Sequence, residues 1–226
     1  MSNSLLKYAS ITQKISMSIL GLFLAMFLLV HLTINLMLLL PDEGELFRAS
    51  AEFMGTNPFI MVFEYVLFAA FFVHIVLGII LWFQNNQARP IAYVKTNVSE
   101  TSFFSKYMIH TGIILLIFLI LHFVHFYFAK IGLVDASTTY LFEGHEHPDF
   151  YVMAKELLTQ PLMAGIYIIS FLTLGFHLNH AIQSGFQSLG LEHSKYTAAI
   201  KIISTLYSLL IAFGFSVIPV ILIIQG

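Results

Sequence analysis

Residues 15–40 read ISMSILGLFLAMFLLVHLTINLMLLL, an uncharged run between Lys14 and Asp42. Crossing the hydrocarbon core of a bilayer takes about 20 apolar residues as an α-helix. The run exceeds that length and is too uniformly apolar for the core helix of a small water-soluble domain. Pro41 ends it. Leu40-Pro41-Asp42 is not a small-residue cleavage site, so the run is expected to stay as a spanning helix and not to be removed as a signal peptide. One residue stands out within it. His31 is an ionisable side chain deep in an apolar helix, where such a group is costly and carries a function or a partner.

The same reading repeats along the chain. Apolar runs at about Phe59–Gln84, Tyr107–Lys130, Pro161–Phe186 and Lys201–Ile224 predict four more spans. Asn57-Pro58, Arg89-Pro90 and Gln160-Pro161 punctuate their ends. The expected fold is therefore all-α, an integral membrane bundle of five transmembrane helices forming one domain over residues 1–226. Composition agrees: of 226 residues, 58% are hydrophobic and only 10% charged, with a mean hydropathy of +0.87. Cysteine is absent. That excludes disulfides, thiolate-held iron–sulfur clusters and covalent C-x-x-C-H haem attachment within this chain. Neither the net charge of −2 nor any basic patch points to nucleic acid.

Basic residues set the expected orientation. Lys7, Lys14, Arg89, Lys95, Lys106, Lys195 and Lys201 fall on the side of the N-terminus, against Arg48, Lys130 and Lys155 on the other. The imbalance predicts a cytoplasmic N-terminus. The opposite loops hold most of the acids, including Asp42, Glu43, Glu45, Asp135, Glu143 and Asp149.

Three further histidines, His74, His122 and His177, lie one each in the second, third and fourth runs. At 1.5 Å per residue, His31 and His122 lie about 22–24 Å from the inner ends of their helices, whereas His74 and His177 lie about 14–15 Å away. A haem needs two axial ligands at matching depth from different helices. The sequence supplies that arrangement twice, as an outer pair (His31 and His122) and an inner pair (His74 and His177).

Glycines repeat the pattern. Gly21 and Gly112 each stand ten residues before an outer histidine, near the inner depth. A bare backbone there gives a macrocycle room to approach. Gly78 and Gly175 fit the same use, and helix–helix packing accounts for all four as well. His125 and His180 lie one turn beyond His122 and His177, so each shares a face with its neighbour and is an alternative ligand. His125 also suits a propionate, a quinone or the interface. His110 fits an inner propionate or the headgroup layer, and His193 an interfacial loop. His145 and His147, within Glu143-Gly144-His145-Glu146-His147, read more simply as a solvated acidic loop than as a metal site.

The stretches Leu29-Val30-His31-Leu32-Thr33-Ile34-Asn35, Val73-His74-Ile75-Val76-Leu77-Gly78, Thr111-Gly112 running to Leu121-His122, and Gly175-Phe176-His177 carry a family resemblance. With Asn57-Pro58-Phe59 before the second helix, nearly the whole chain resembles the five-helix, dihaem cytochrome b anchor of succinate dehydrogenases and fumarate reductases (succinate:quinone oxidoreductases). The ordered set of four histidines is the specific part. The resemblance implies that His31 and His122 ligate an outer haem b and that His74 and His177 ligate an inner one. It implies a flavoprotein and an iron–sulfur subunit on the cytoplasmic side of a bacterial cytoplasmic membrane. Electrons would pass through both haems to or from a quinone, typically menaquinone. A higher oligomer of the complex is compatible with this. The chain itself is expected to bind no dicarboxylate; it is the electron-carrying subunit with a quinone site.

For that quinone, Glu64 is the one acid clearly within an apolar span. It suits proton exchange, and equally a helix-start carboxylate beside the N-terminal dipole. Asn35 fits a hydrogen bond to a propionate or quinone, or a polar helix end. Ser18 and Lys106 fit inner propionates or interface anchoring. Some members of the family have a glutamate near the fourth ligand that offers a compensating proton path. Leu174-Gly175-Phe176-His177 has no acid, which predicts uncompensated, electrogenic transfer, worth about 2.3 kcal/mol per charge per 100 mV. Two other readings stand beside this one: the dihaem anchor of another quinone-linked dehydrogenase such as a hydrogenase, and a proton-coupled transporter with histidine relays.

Overall fold

The computed structural model describes residues 2–87, 107–142, 145–193 and 195–225. It is an all-α membrane bundle, in which five helices are long and apolar enough to cross a bilayer. They are α1 (Ser2–Leu36), α3 (Pro58–Gln87), α4 (Met108–His122), α6 (Pro161–Ser188) and α7 (Thr197–Gln225). A 3-10 turn, Met37–Leu39, prolongs α1. A π-helical turn, Phe123–Tyr127, and a last α turn, Phe128–Lys130, prolong α4. The apolar parts run over Ile11–Leu39, Pro58–Asn85, Met108–Lys130, Pro161–Ser188 and Thr197–Gln225, within a few residues of the spans read from hydropathy. The largest difference is at the start. Helix α1 begins well before Ile15, because residues 2–14 contain neither proline nor glycine to stop it. Arg89, Pro90, Lys95 and Lys106 lie outside the described residues.

Helices α6 and α7 pack along most of their length. A Cβ added at Gly175 would lie 2.7 Å from Ala212 Cβ and 3.3 Å from the Ser208 carbonyl oxygen, so only glycine lets these backbones meet. Ile211, Phe215, Ile218 and Leu222 on α7 are buried there with Leu178 of α6 and Leu32 of α1. The Tyr207 hydroxyl donates to the Ala25 carbonyl, tying α7 to α1. Phe59, Phe72, Ile117, Phe213 and Ile224 stay exposed on the outside, as a lipid-facing surface requires.

The segments joining α1 to α3 and α4 to α6 hold structure that hydropathy does not announce. Helix α2 (Glu45–Thr56) starts where Asp42 accepts the backbone N–H groups of Gly44 and Leu46, both at 3.0 Å. Gly44 has φ +85°, and any side chain there would strike the Tyr151 ring. Strands β1 (Thr139–Phe142) and β2 (His145–Pro148) form an antiparallel hairpin in the register Thr139↔Pro148. Helix α5 (Phe150–Leu158) follows, capped by Asp149, which accepts the Val152 N–H at 3.3 Å. Asp149 also receives Arg48 Nε at 3.0 Å and Arg48 Nη2 at 2.8 Å, and that hydrogen bond is the main cause raising the guanidinium pKa above its ordinary value. Tyr140 donates to Glu52 Oε2 at 3.1 Å. Burial, then Glu52, push its phenol up to about 12.

Asp149 therefore serves twice, as ion-pair partner and as helix cap. Asp149→Asn is expected to lose mainly the ion pair. Asp149→Ala is expected to cost about 1 kcal/mol more, through the missing cap. Thermal unfolding of the two variants in one detergent checks the difference.

Candidate functional site

Four helices each deliver one of the histidines to the bundle interior. The rings of His31 (α1) and His122 (α4) have centroids 5.8 Å apart and planes at 85°. Those of His74 (α3) and His177 (α6) are 6.4 Å apart at 67°. The four rings thus meet two by two, in the same partners that helix depth sorts. Aromatic side chains enclose the first pair. His31 stacks on Phe27 at 5.3 Å and faces Phe215 at 5.8 Å; His122 lies 5.2 Å from Phe126 and 5.9 Å from Phe118.

The second pair is flanked by bare backbone. A Cβ added at Gly21 would lie 3.6 Å from His74 Cε1, and one at Gly112 would lie 3.8 Å from His177 Cε1. Both glycines belong to the helices that carry the other pair. Each therefore opens beside the ring that a neighbouring helix places at its level. Gly78 and Gly175 differ, since a Cβ at Gly78 meets only Met17 at 3.4 Å and Gly175 packs on α7. These two are helix-packing positions.

Hydrogen bonding separates the four imidazoles. Nδ1 of His74 and Nδ1 of His122 are buried without a hydrogen-bond partner, which an apolar interior penalises. His31 Nδ1 has the Asn35 amide nitrogen at 3.5 Å, a long contact, while that same nitrogen donates to the His31 carbonyl at 2.8 Å. His177 Nδ1 lies 3.1 Å from Thr111 Oγ1.

The donor set would suit a metal held between the two imidazoles of each pair. Two imidazoles sharing one metal in line, with bonds of about 2.0–2.1 Å, place their ring centres about 6.3 Å apart. A direct imidazole–imidazole hydrogen bond would bring them to about 5 Å. The observed 5.8 and 6.4 Å leave room for a shared metal and also fall among ordinary edge-to-face ring contacts, about 4.5–7 Å. The histidines gather in twos: among the described residues, no three His, Cys, Asp or Glu side chains form a metal-binding group. Paired imidazoles in an apolar slot beside bare backbone fit haem.

The remaining residues fall as follows. His125 Nδ1 meets the Tyr167 hydroxyl at 2.9 Å, and the two rings stack. His180 is half-buried on α6, three residues beyond His177. Ser18 is buried, and its hydroxyl donates to the Lys14 carbonyl at 2.8 Å. Its Cβ faces Gly185 of α6, so it also packs between helices. His110 is exposed near the start of α4 beside Tyr107. His193 is exposed, with Nδ1 accepting the Lys195 N–H at 3.1 Å. His147 Nδ1 lies 3.7 Å from Glu52 Oε2; Glu143 and Gly144, like Lys106, lie outside the described residues.

Glu64 has a partner that the sequence reading does not foresee. Lys130, at the end of the α4 span, donates to Glu64 Oε2, and its ammonium sits 5.9 Å from the Tyr127 ring centre. Phe68 of α3 meets Phe123 and Tyr127 alongside, at 5.4 and 4.6 Å. Glu64 lies in the second turn of α3, whose first turn contains no acid, so the ion pair explains the carboxylate better than the helix dipole does. Compared with protein-family models, with curated proteins and with solved structures, the chain finds no match.

Lys130→Met leaves the Glu64 carboxylate without its cation, though still hydrogen-bonded to Tyr127, and is expected to cost about 1–3 kcal/mol, since both side chains keep some exposure. Adding Glu64→Gln should recover most of the loss. A double-mutant cycle on thermal unfolding measures the coupling, and strictly additive effects would show that the pair contributes nothing.

Proposed function

We propose that this chain is the dihaem cytochrome b membrane anchor of a succinate:menaquinone oxidoreductase or fumarate reductase. In this reading it lies in a bacterial cytoplasmic membrane with its N-terminus inside, beneath a flavoprotein and an iron–sulfur subunit. The observation that carries the reading is the pairing of four buried imidazoles, at two levels and from four helices, at ring separations of 5.8 and 6.4 Å. The resemblance in sequence supplies the partners and the dicarboxylate reaction.

His31 and His122 would hold one haem b, and His74 and His177 the other. Bound haem supplies an iron that alternates between two oxidation states one electron at a time. The chain's own residues do the rest. Phe27, Phe118, Phe126 and Phe215 keep water from the first pair, and Gly21 and Gly112 leave space beside the second. Glu64 is the proton-exchanging group for quinone, and Lys130 lies against the oxygen where such a proton lands. Proton exchange there requires the Lys130 contact to loosen. The absence of cysteine fits a chain whose iron–sulfur clusters belong to a partner.

The deciding experiment is a reduced-minus-oxidised visible spectrum of the chain purified with its neighbours. Two b-type haems per chain are expected. His31→Ala and His122→Ala should each remove the same haem, and His74→Ala and His177→Ala the other. Absence of haem overturns the reading; loss of different haems from His31→Ala and His122→Ala overturns only the pairing.

Charge moving between the two histidine levels travels along the membrane normal. The stretch from Leu174 to His177 has no acid with which to offset it. Succinate–quinone activity of the whole complex in proteoliposomes is therefore expected to respond to an imposed membrane potential. Indifference to voltage refutes the electrogenic assignment.

A further inference from the structure

Thr111 stands in the first turn of α4, and its hydroxyl makes two contacts. It donates to the Met108 carbonyl at 2.9 Å and lies 3.1 Å from His177 Nδ1 on α6. A hydroxyl has one proton to give. A carbonyl oxygen can only accept, so the proton goes to Met108. The Thr111 oxygen then has only lone pairs left for His177, and the shared proton of that contact must be carried by Nδ1. The reverse placement would leave the hydroxyl and carbonyl oxygens facing each other at 2.9 Å with no proton between them.

We propose that Thr111 is a positioning residue that fixes His177 as its Nδ1–H tautomer and so leaves the Nε2 lone pair free for an axial haem iron. The proposal rests on the haem reading above. It makes His177 unlike the other three histidines. His74 and His122 have no partner at Nδ1. Asn35 presents His31 with an amide nitrogen, which is a donor and cannot hold an Nδ1 proton. His177 thus has, at Nδ1, a side-chain acceptor of the kind that orients metal-bound imidazoles and raises their basicity. Gly112, the next residue, lies beside Cε1 of the same ring, where an added Cβ would make an ordinary contact at 3.8 Å. Thr111 therefore orients one ligand. A more basic imidazole favours the oxidised iron, so Thr111 lowers the midpoint potential of the haem held by His74 and His177 and leaves the other unchanged.

The test uses the purified complex with Thr111→Val, which keeps the shape of the side chain and removes its hydroxyl, and Thr111→Ser, which keeps the hydroxyl. Redox titration followed by visible and EPR spectra reads each haem separately. In Thr111→Val, one midpoint potential is expected to rise and its low-spin EPR signal to move, with that haem retained about 10-fold or more weakly. Thr111→Ser should match the unmodified protein. The affected haem must be the one that His74→Ala removes. Two haems with unmoved potentials and signals in Thr111→Val overturn the proposal while leaving the haem reading intact. So does a shift in the haem that His31→Ala removes, or an equal shift in Thr111→Ser. An unmodified complex without haem instead overturns the haem reading, and the proposal with it.

Discussion

A polar side chain inside hydrocarbon has no water to turn to, and that constraint governs where each one in this bundle goes. Most satisfy it locally. Ser170, Ser204, Ser208 and Ser216 return their hydroxyls to a carbonyl one turn back on their own helices, at 2.7–2.8 Å. Tyr207 reaches across to Ala25, and Glu64 pairs with Lys130. The paired histidines, like Gln13 Oε1, depart from this. Two of them keep a buried nitrogen with no partner, so their placement gains little for the bundle taken by itself. Two imidazoles from different helices, meeting at each of two levels at separations with room for a shared metal, are the reason to look for a bound group between them.

The two histidine levels are not independent structures. Helix α1 brings His31 to one pair and Gly21 to the other, and α4 does the same with His122 and Gly112. Each of these helices contributes a ligand at one depth and an absence of side chain at the next. Sliding either helix along its axis would therefore disturb both levels together. The close approach of α7 to α1 at Gly214, where an added Cβ would lie 2.7 Å from Leu32 Cδ2, opposes such movement of α1.

Much of this was readable from residue order. Hydrocarbon thickness dictates span length, so apolar run length located the five helices to within a few residues, α1's long N-terminal extension excepted. A fixed rise per residue turns sequence position into depth, which is why His31 sorted with His122 and His74 with His177 before any contact was known. What remained hidden depends on azimuth and on distant partners. Nothing near Glu64 announces Lys130, 66 residues on. The link from Arg48 to Asp149 spans 101 residues between two stretches with no apolar periodicity long enough to compare. Thr111 stands in a stretch that carries the family resemblance, but the role of its hydroxyl appears only once the proton in each contact is assigned.

The π-helical turn at Phe123–Tyr127 follows directly on His122. In an α-helix, His125 would lie above His122. The wider turn takes in an extra residue; within it His125 meets the Tyr167 hydroxyl, and His122 packs on the same Tyr167 ring at 6.4 Å. Such a turn amounts to a single-residue insertion, and its effect is one of phase. Everything beyond it on α4 is rotated by about 100° relative to an uninterrupted helix, and Lys130 meets Glu64 in that shifted phase. The end of α4 beyond the turn is thus set by the count of residues in one turn, while the histidine levels before it keep their own register. A change in chain length at that turn would re-aim the outer surface and leave both imidazole pairs where they stand.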